Sequence, residues 1–159
     1  MGTSRGDSRI NHVSVSARDL RESIDFYVEL LGAEPIATPN FGFPVQWLAI
    51  GRTQLHLFER DLQPTSHHHL GVTVSDLEPV FRVAERRGIF DRSAFGNHLV
   101  ETPGDVVQLY LRDPAGNLIE VDCDGVERLP EDMRAQLKGI WELNPQDDEN
   151  MRSRLFVPE

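Results

Sequence analysis

The six histidines of this 159-residue chain fall in a few places: His12, His56, the run His67-His68-His69, and His98. None lies in a segment with helical periodicity. In an alternating segment, side chains two residues apart share a face. His12 therefore groups with Ser14 and Ser16, and His67 and His69 with Thr73, while His68 points away. By the same rule His56 groups with Phe58, and Glu120 with Leu118 and Asp122. Two neutral imidazoles and one carboxylate, from His12, His69 and Glu120, make the facial donor set that suits a divalent metal. Iron(II) with open positions fits it best, and zinc, nickel or manganese are compatible. A lone histidine is more often a half-buried polar residue than a ligand, but candidates at matched positions of two similar halves reverse that balance. The triplet could also be read as an unspecific metal-binding tract. Its match to His12 selects His69, with His67 expected at the cavity entrance and His68 packed or solvated.

The halves are legible as a repeat. The segment His69-Leu70-Gly71-Val72-Thr73-Val74-Ser75-Asp76-Leu77 lies without a gap over His12-Val13-Ser14-Val15-Ser16-Ala17-Arg18-Asp19-Leu20, with the histidine, aspartate and leucine coinciding. In the first half, alternation over Ile10–Ser16 predicts a strand. Asp19 then starts a helix with Leu20, Ile24, Tyr27, Val28 and Leu31 on its apolar stripe, and Gly32 stops it. Strands follow near Glu34–Thr38, Val45–Ile50 and Gln54–Glu59, an order of βαβββ. The second half predicts a helix with Leu77, Val80, Phe81 and Ala84 inward and a stop at Gly88. Strand candidates follow near Ile89–Ser93, His98–Thr102 and Val106–Arg112, then Leu118–Cys123 after the turn Asp113-Pro114-Ala115-Gly116-Asn117. In the tail, Pro130 opens a helix containing Met133, Leu137, Ile140 and Trp141 that covers the core or a partner, and Leu155-Phe156-Val157 offers a short apolar anchor.

Composition narrows the function. A net charge of −10, from 26 acidic and 16 basic residues, repels a phosphate backbone and argues against nucleic acid. No apolar run of bilayer-spanning length exists and Met1 to Arg9 is polar, so neither a membrane partner nor a signal peptide is expected and the location expected is cytoplasmic. Cys123 is the sole cysteine and reads as an ordinary thiol.

The runs NHVSVSARDLRESIDFYVELLG, HLGVTVSDL and LYLRDPAGNLIE resemble the glyoxalase/bleomycin-resistance/dioxygenase, or vicinal-oxygen-chelate, superfamily over residues 10–124. The resemblance implies an α+β fold. Two βαβββ modules, residues 10–62 and 67–124, build a cupped sheet, with a disordered stretch at 1–9 and a helical extension at 125–159. In finer spacing it is similar to one-domain type I extradiol dioxygenases, which open catechol rings with iron(II). That likeness implies His12, His69 and Glu120 as metal ligands, His56 as the acid–base histidine and Tyr110 as the active-site tyrosine. His98 falls on a further catalytic histidine, although the gap from His98 to Tyr110 is longer than the family's. The implied partners are a catechol-like molecule and dioxygen, with a homodimer or the tail as ways to close the site.

The same fold serves other reactions. One is a glyoxalase- or epimerase-like lyase or isomerase, in which His56 is a fourth ligand and the metal stabilises an enediolate. Another is a metal-free drug-binding resistance protein. Isomerases of the superfamily commonly place Glu or Gln at the His56 position, so the histidine tilts the expectation toward the dioxygenase.

Overall fold

Alternation makes the first strand: β1 spans His12–Ala17 with Ala17 fully buried. Asp19 then turns the chain into α1, Leu20–Leu31. Its extended backbone (φ −126°) lets the side chain accept from the Glu22 N–H at 2.8 Å, and the Leu20 N–H donates to Glu59 at 2.9 Å, so two of the helix's orphan donors are satisfied. The buried stripe is Ser23, Phe26, Tyr27 and Leu30, one position round from the expected set. Val28 is 40% exposed, because burying the two large aromatics outweighs burying a valine, at about 1.5–3 kcal/mol for each large side chain.

A computed structural model of the protein describes residues 10–61 and 63–155. The stretch at 1–9 expected to be disordered, and Phe156 and Val157 of the expected apolar anchor, lie outside the described residues. Leu155 is exposed. The described residues divide into two units, one within 10–64 together with Pro114–Asn117, the other of Thr65–Asp113 together with 118–155.

In the first unit, β2 (Glu34–Ile36), β3 (Val45–Ile50) and β4 (Thr53–Glu59) join β1 in the order β1-β4-β3-β2. β1 and β4 are parallel and the other pairs antiparallel. The second unit repeats this with β5 (His69–Thr73), α2 (Glu78–Arg87), β6 (Leu99–Thr102), β7 (Val106–Arg112) and β8 (Leu118–Asp124), in the order β5-β8-β7-β6 with β5 and β8 parallel. The expected α+β fold of two βαβββ modules is therefore present. α2 buries Val80, Phe81 and Ala84 as its pattern requires.

Two expectations are corrected. Ile89–Ser93 is not a strand, and only Phe90 bridges to Leu111. Asp91 takes the Ser93 and Ala94 N–H groups at 3.0 and 2.8 Å and curls the chain into a turn. The tail is not one helix either. α3 (Glu131–Arg134) stops, Lys138–Gly139 forms a strand, β9, parallel to β6 through Val100 and Glu101, and α4 (Ile140–Leu143) follows. Gly139 is a poor helix former, and pairing satisfies a sheet edge that would otherwise stay open. Ile140 and Leu143, with Ala94 and Phe95, pack against Val100, Tyr110 and Leu118, so the tail covers the core of the second unit.

Both helices end where expected, on left-handed glycines, Gly32 (φ 63°) and Gly88 (φ 65°), with open space where a Cβ would stand. Since nothing would clash, a side chain there costs only the backbone conformation. Gly32→Ala and Gly88→Ala should each lower unfolding free energy by about 1–2 kcal/mol, and Asn at either position by less; urea melts showing no loss would contradict the capping role.

Candidate functional site

Register explains why chemistry-bearing residues meet. In the first unit His12 pairs with Gln54 and Ser14 with His56; in the second His69 pairs with Leu118 and Gly71 with Glu120. In both, the histidine of the first strand lies diagonally beside the donor of the last, across a small residue. The next strand carries an aromatic opposite that donor, Trp47 beside His56 and Tyr110 beside Glu120.

In the first unit three rings stack. His56 lies between Trp47 (centroids 4.3 Å apart, planes at 6°) and His12 (4.3 Å, 13°). His56 is 7% exposed and its Nε2 meets Gln54 Oε1 at 2.9 Å. An amide oxygen only accepts, so the neutral ring keeps its proton on Nε2 and its lone pair on Nδ1. Burial lowers the His56 pKa, and neighbouring His12 lowers it further. Beside the stack is a cavity of about 550 Å³ lined by His12, Ser14, Phe41, Trp47, His56 and Phe58 among others.

In the second unit His69 Nε2 lies 3.5 Å from Glu120 Oε2. Glu120, 6% exposed, accepts at Oε1 from Gln108 at 3.0 Å, and Gln108 accepts from the Tyr110 hydroxyl at 2.9 Å. Burial and then the charge of Glu120 push the Tyr110 phenol well up, so it stays a donor. Asp122 is buried beside them with Oδ1 unpartnered, and burial followed by the charge of Glu120 raises its carboxyl above the ordinary range. Phe95 walls the group, 4.5 Å from Tyr110 and 5.9 Å from His69.

The donor set can be tested for a metal. His12 Nδ1 faces Asn11 Oδ1 at 2.5 Å and His69 Nδ1 faces the His67 carbonyl at 2.8 Å. Both oxygens accept, so each neutral ring holds its proton on Nδ1 and leaves Nε2 free, the arrangement of a metal-ligating histidine. A bare imidazole nitrogen and a carboxylate oxygen facing each other repel unless a proton on the nitrogen or a metal cation sits between them. Their 3.5 Å separation is close to the roughly 3.4 Å between two ligands of one tetrahedral ion with bonds of about 2.0–2.1 Å. His69 and Glu120 are therefore spaced as two donors of one divalent ion would be. His12 and His56 as stacked do not both fit one ion, because an imidazole coordinates in its own plane and near-parallel planes do not meet there.

The structure thus brings together His12 with His56, and His69 with Glu120 and Tyr110. Among the described residues no group of three or more His, Cys, Asp or Glu forms a metal cluster. His98 is placed elsewhere. It is 2% exposed, packed on Phe90 (4.4 Å) and Phe81 of α2 (6.3 Å), with both ring nitrogens unpartnered. His68 is exposed, and the His67 ring lies 5.8 Å from Phe95. Sequence reasoning passed over Gln108 and Trp47. Gln108 lies two residues before Tyr110 on the same face, and Trp47 matches Tyr110 in the repeat, so both signals were present.

Residues 9–121 match the model of the Glyoxalase/Bleomycin resistance protein/Dioxygenase superfamily. The chain belongs to this superfamily. Within it, the chain is 32% identical to Glyoxylase I 4 of Arabidopsis thaliana over 133 residues, 76% of this chain and 74% of the relative. It is 25% identical to the mitochondrial methylmalonyl-CoA epimerase of Mus musculus over 132 residues, 72% of each. Lactoylglutathione lyase from Agrobacterium tumefaciens shares the fold, with a TM-score of 0.56 at 24% identity over 72% of this chain and 92% of that one. None of the three carries a dioxygenase name. No helix among the described residues is long and apolar enough to cross a membrane.

His98 links burial to pH. Its ordinary value of 6.5 is lowered by burial first and the Arg92 charge second, so the unfolded chain takes up a proton more readily than the folded one. Its contribution is intact above about pH 6.5 and is lost as pH falls through that value toward the folded pKa. His98→Phe should show a smaller drop in unfolding free energy between pH 7.5 and 5.5 than the parent; equal drops would mean that His98 is not strained by protonation.

Proposed function

We propose that this superfamily member is a divalent-metal-dependent isomerase of the glyoxalase or epimerase kind, moving a proton on a carbon next to a carbonyl. The observation that carries the reading is the matched orientation of His12 and His69, each with Nδ1 facing an oxygen acceptor, and in His69 with Nε2 facing Glu120 Oε2 at 3.5 Å. With Glu120 they are the proposed ligands. When bound, the metal would polarise the substrate carbonyl and stabilise charge developing on its oxygen.

In this reading His56 is the proton carrier rather than a fourth ligand. Its stack with Trp47 and its bond to Gln54 hold it still, and its lowered pKa keeps it neutral near pH 7 with Nδ1 ready to accept. The C–H proton passes to Nδ1 and returns to the neighbouring carbon in an isomerisation, or to the same carbon from the other face in an epimerisation. Gln108, supported by Tyr110, holds Glu120 in place, and Phe95 keeps water from the His69 edge. The names of the Arabidopsis and mouse relatives favour this reading over ring cleavage.

The extradiol dioxygenase is the second reading, favoured by a stacked, buried histidine in the first unit and, in the second, a tyrosine that stays protonated near the glutamate. There His56 would take a phenolic proton of a catechol, with Tyr110 as hydrogen-bond donor and His98 confined to packing.

Metal content and hydrogen exchange test the proposal. After loading with zinc, nickel or cobalt, the protein should retain one ion per chain, with His12→Ala, His69→Ala and Glu120→Gln each lowering affinity by more than about 100-fold. In D₂O, proton NMR should show deuterium entering lactoylglutathione-type adducts or methylmalonyl thioesters beside the carbonyl. His56→Ala should keep the ion and lose exchange by about 10²–10⁴-fold. Loss of the ion in His56→Ala would make His56 a ligand, and oxygen uptake with catechols by iron(II)-loaded protein, without exchange, would select the dioxygenase.

A further inference from the structure

The first unit holds a feature that proton transfer does not use. Three phenyl or indole rings line the cavity beside His12 and His56 and a fourth adjoins them: Phe41 lies 6.0 Å from Trp47 and 6.3 Å from Phe58, and Phe43, outside that cavity, lies 5.9 Å from Phe58. Phe41 is 45% exposed. An acidic chain that leaves so large a ring open, beside others already lining a cavity, presents a surface built for a flat apolar body. The cavity runs on into a second of about 270 Å³ that shares Ser14 and Phe58 and adds Phe43, Ser16 and Arg60.

Arg60 supplies the second element. Its guanidinium lies over the Phe43 ring, 3.9 Å from the centroid, and it makes no ion pair with a carboxylate among the described residues. Arg21, Arg82, Arg112, Arg128 and Arg134 are all paired with acids. The Glu59 carboxylate next to Arg60 is engaged by the Leu20 N–H. Stacking on Phe43 fixes the planar fork while its outer N–H groups stay free, a ready receptor for a carboxylate or a similar anion. In a chain with a net charge of −10, Arg60 is the cation that lines this cavity and gives a negatively charged ligand a place to settle in it.

We propose that this cleft is a recognition subsite for a planar aromatic compound bearing an anionic group, with its ring among Phe41, Trp47 and Phe58 and its anion on Arg60. Its role as the substrate end of the catalytic site rests on the function proposed above; its binding of such a compound does not.

The test therefore uses full-length protein freed of metal with a chelator, titrated calorimetrically with 2-naphthoate, its neutral analogue 2-naphthylmethanol, and hexanoate. Naphthoate should bind at one site, about tenfold or more tighter than either comparison ligand. Arg60→Gln should reduce naphthoate affinity by about tenfold and leave naphthylmethanol unchanged, with Arg60→Lys between. Phe41→Ala, at an exposed position that leaves the core intact, should weaken both aromatic ligands. Equal affinity for acid and alcohol, an unchanged Arg60→Gln variant, absence of any binding, or self-association that excludes the ligand would each overturn the proposal. If metal-dependent proton exchange persists while naphthoate fails to bind, only the subsite is wrong; if naphthoate binds and exchange is absent, only the catalytic reading is.

Discussion

In each half of this protein the first and last strands of a βαβββ module run side by side in parallel. Parallel neighbours cannot be joined by a tight turn and need a crossover. The helix with its terminal glycine, and the two further strands, make that crossover possible. The same pairing, in the same register, sets His12 beside His56 and His69 beside Glu120. A slip of one residue would turn every one of these side chains to the other face, so the core that holds the register also holds the chemistry.

The two halves use that shared frame differently. One keeps its central group as a neutral imidazole between two flat rings; the other buries two carboxylates with a tyrosine and a glutamine around one of them. Burial favours the uncharged form in both cases, lowering the histidine and raising Asp122. Equivalent positions thus carry a stacked, buried histidine in one half and a buried, hydrogen-bonded glutamate in the other.

The tail adds to the second half alone. β9 extends its sheet and α4 lays Ile140 and Leu143 near Tyr110, so the aromatic wall beside Glu120 is reinforced by residues outside the repeat. The first half keeps its aromatic face open instead, with Phe41 and Arg60 at its rim.

Much of this was legible in the chain itself. The gapless match of His12–Leu20 to His69–Leu77, the alternating strands and the stops at Gly32 and Gly88 specify two βαβββ modules, because each is a local signal read from neighbouring residues. The faces of His12, His56, His69 and Glu120 followed from period two alone. Other features depend on contacts between segments far apart in the chain. The helix stripe turned toward Phe26 and Tyr27, the turn at Asp91 replaced an expected strand, and Lys138–Gly139 left the expected helix to pair with β6. The ring of His98, which looked like a partner of Tyr110, was drawn against Phe90, with Phe81 behind it. The partners of the histidine rings are local by contrast: Asn11 for His12, Gln54 for His56 and the carbonyl of His67 for His69, each one or two residues away. Sequence determined which residues could do chemistry and on which face they stand, because alternation is local; the folded units decided which of them are buried and what they pack against, because that depends on strands brought together from distant parts of the chain.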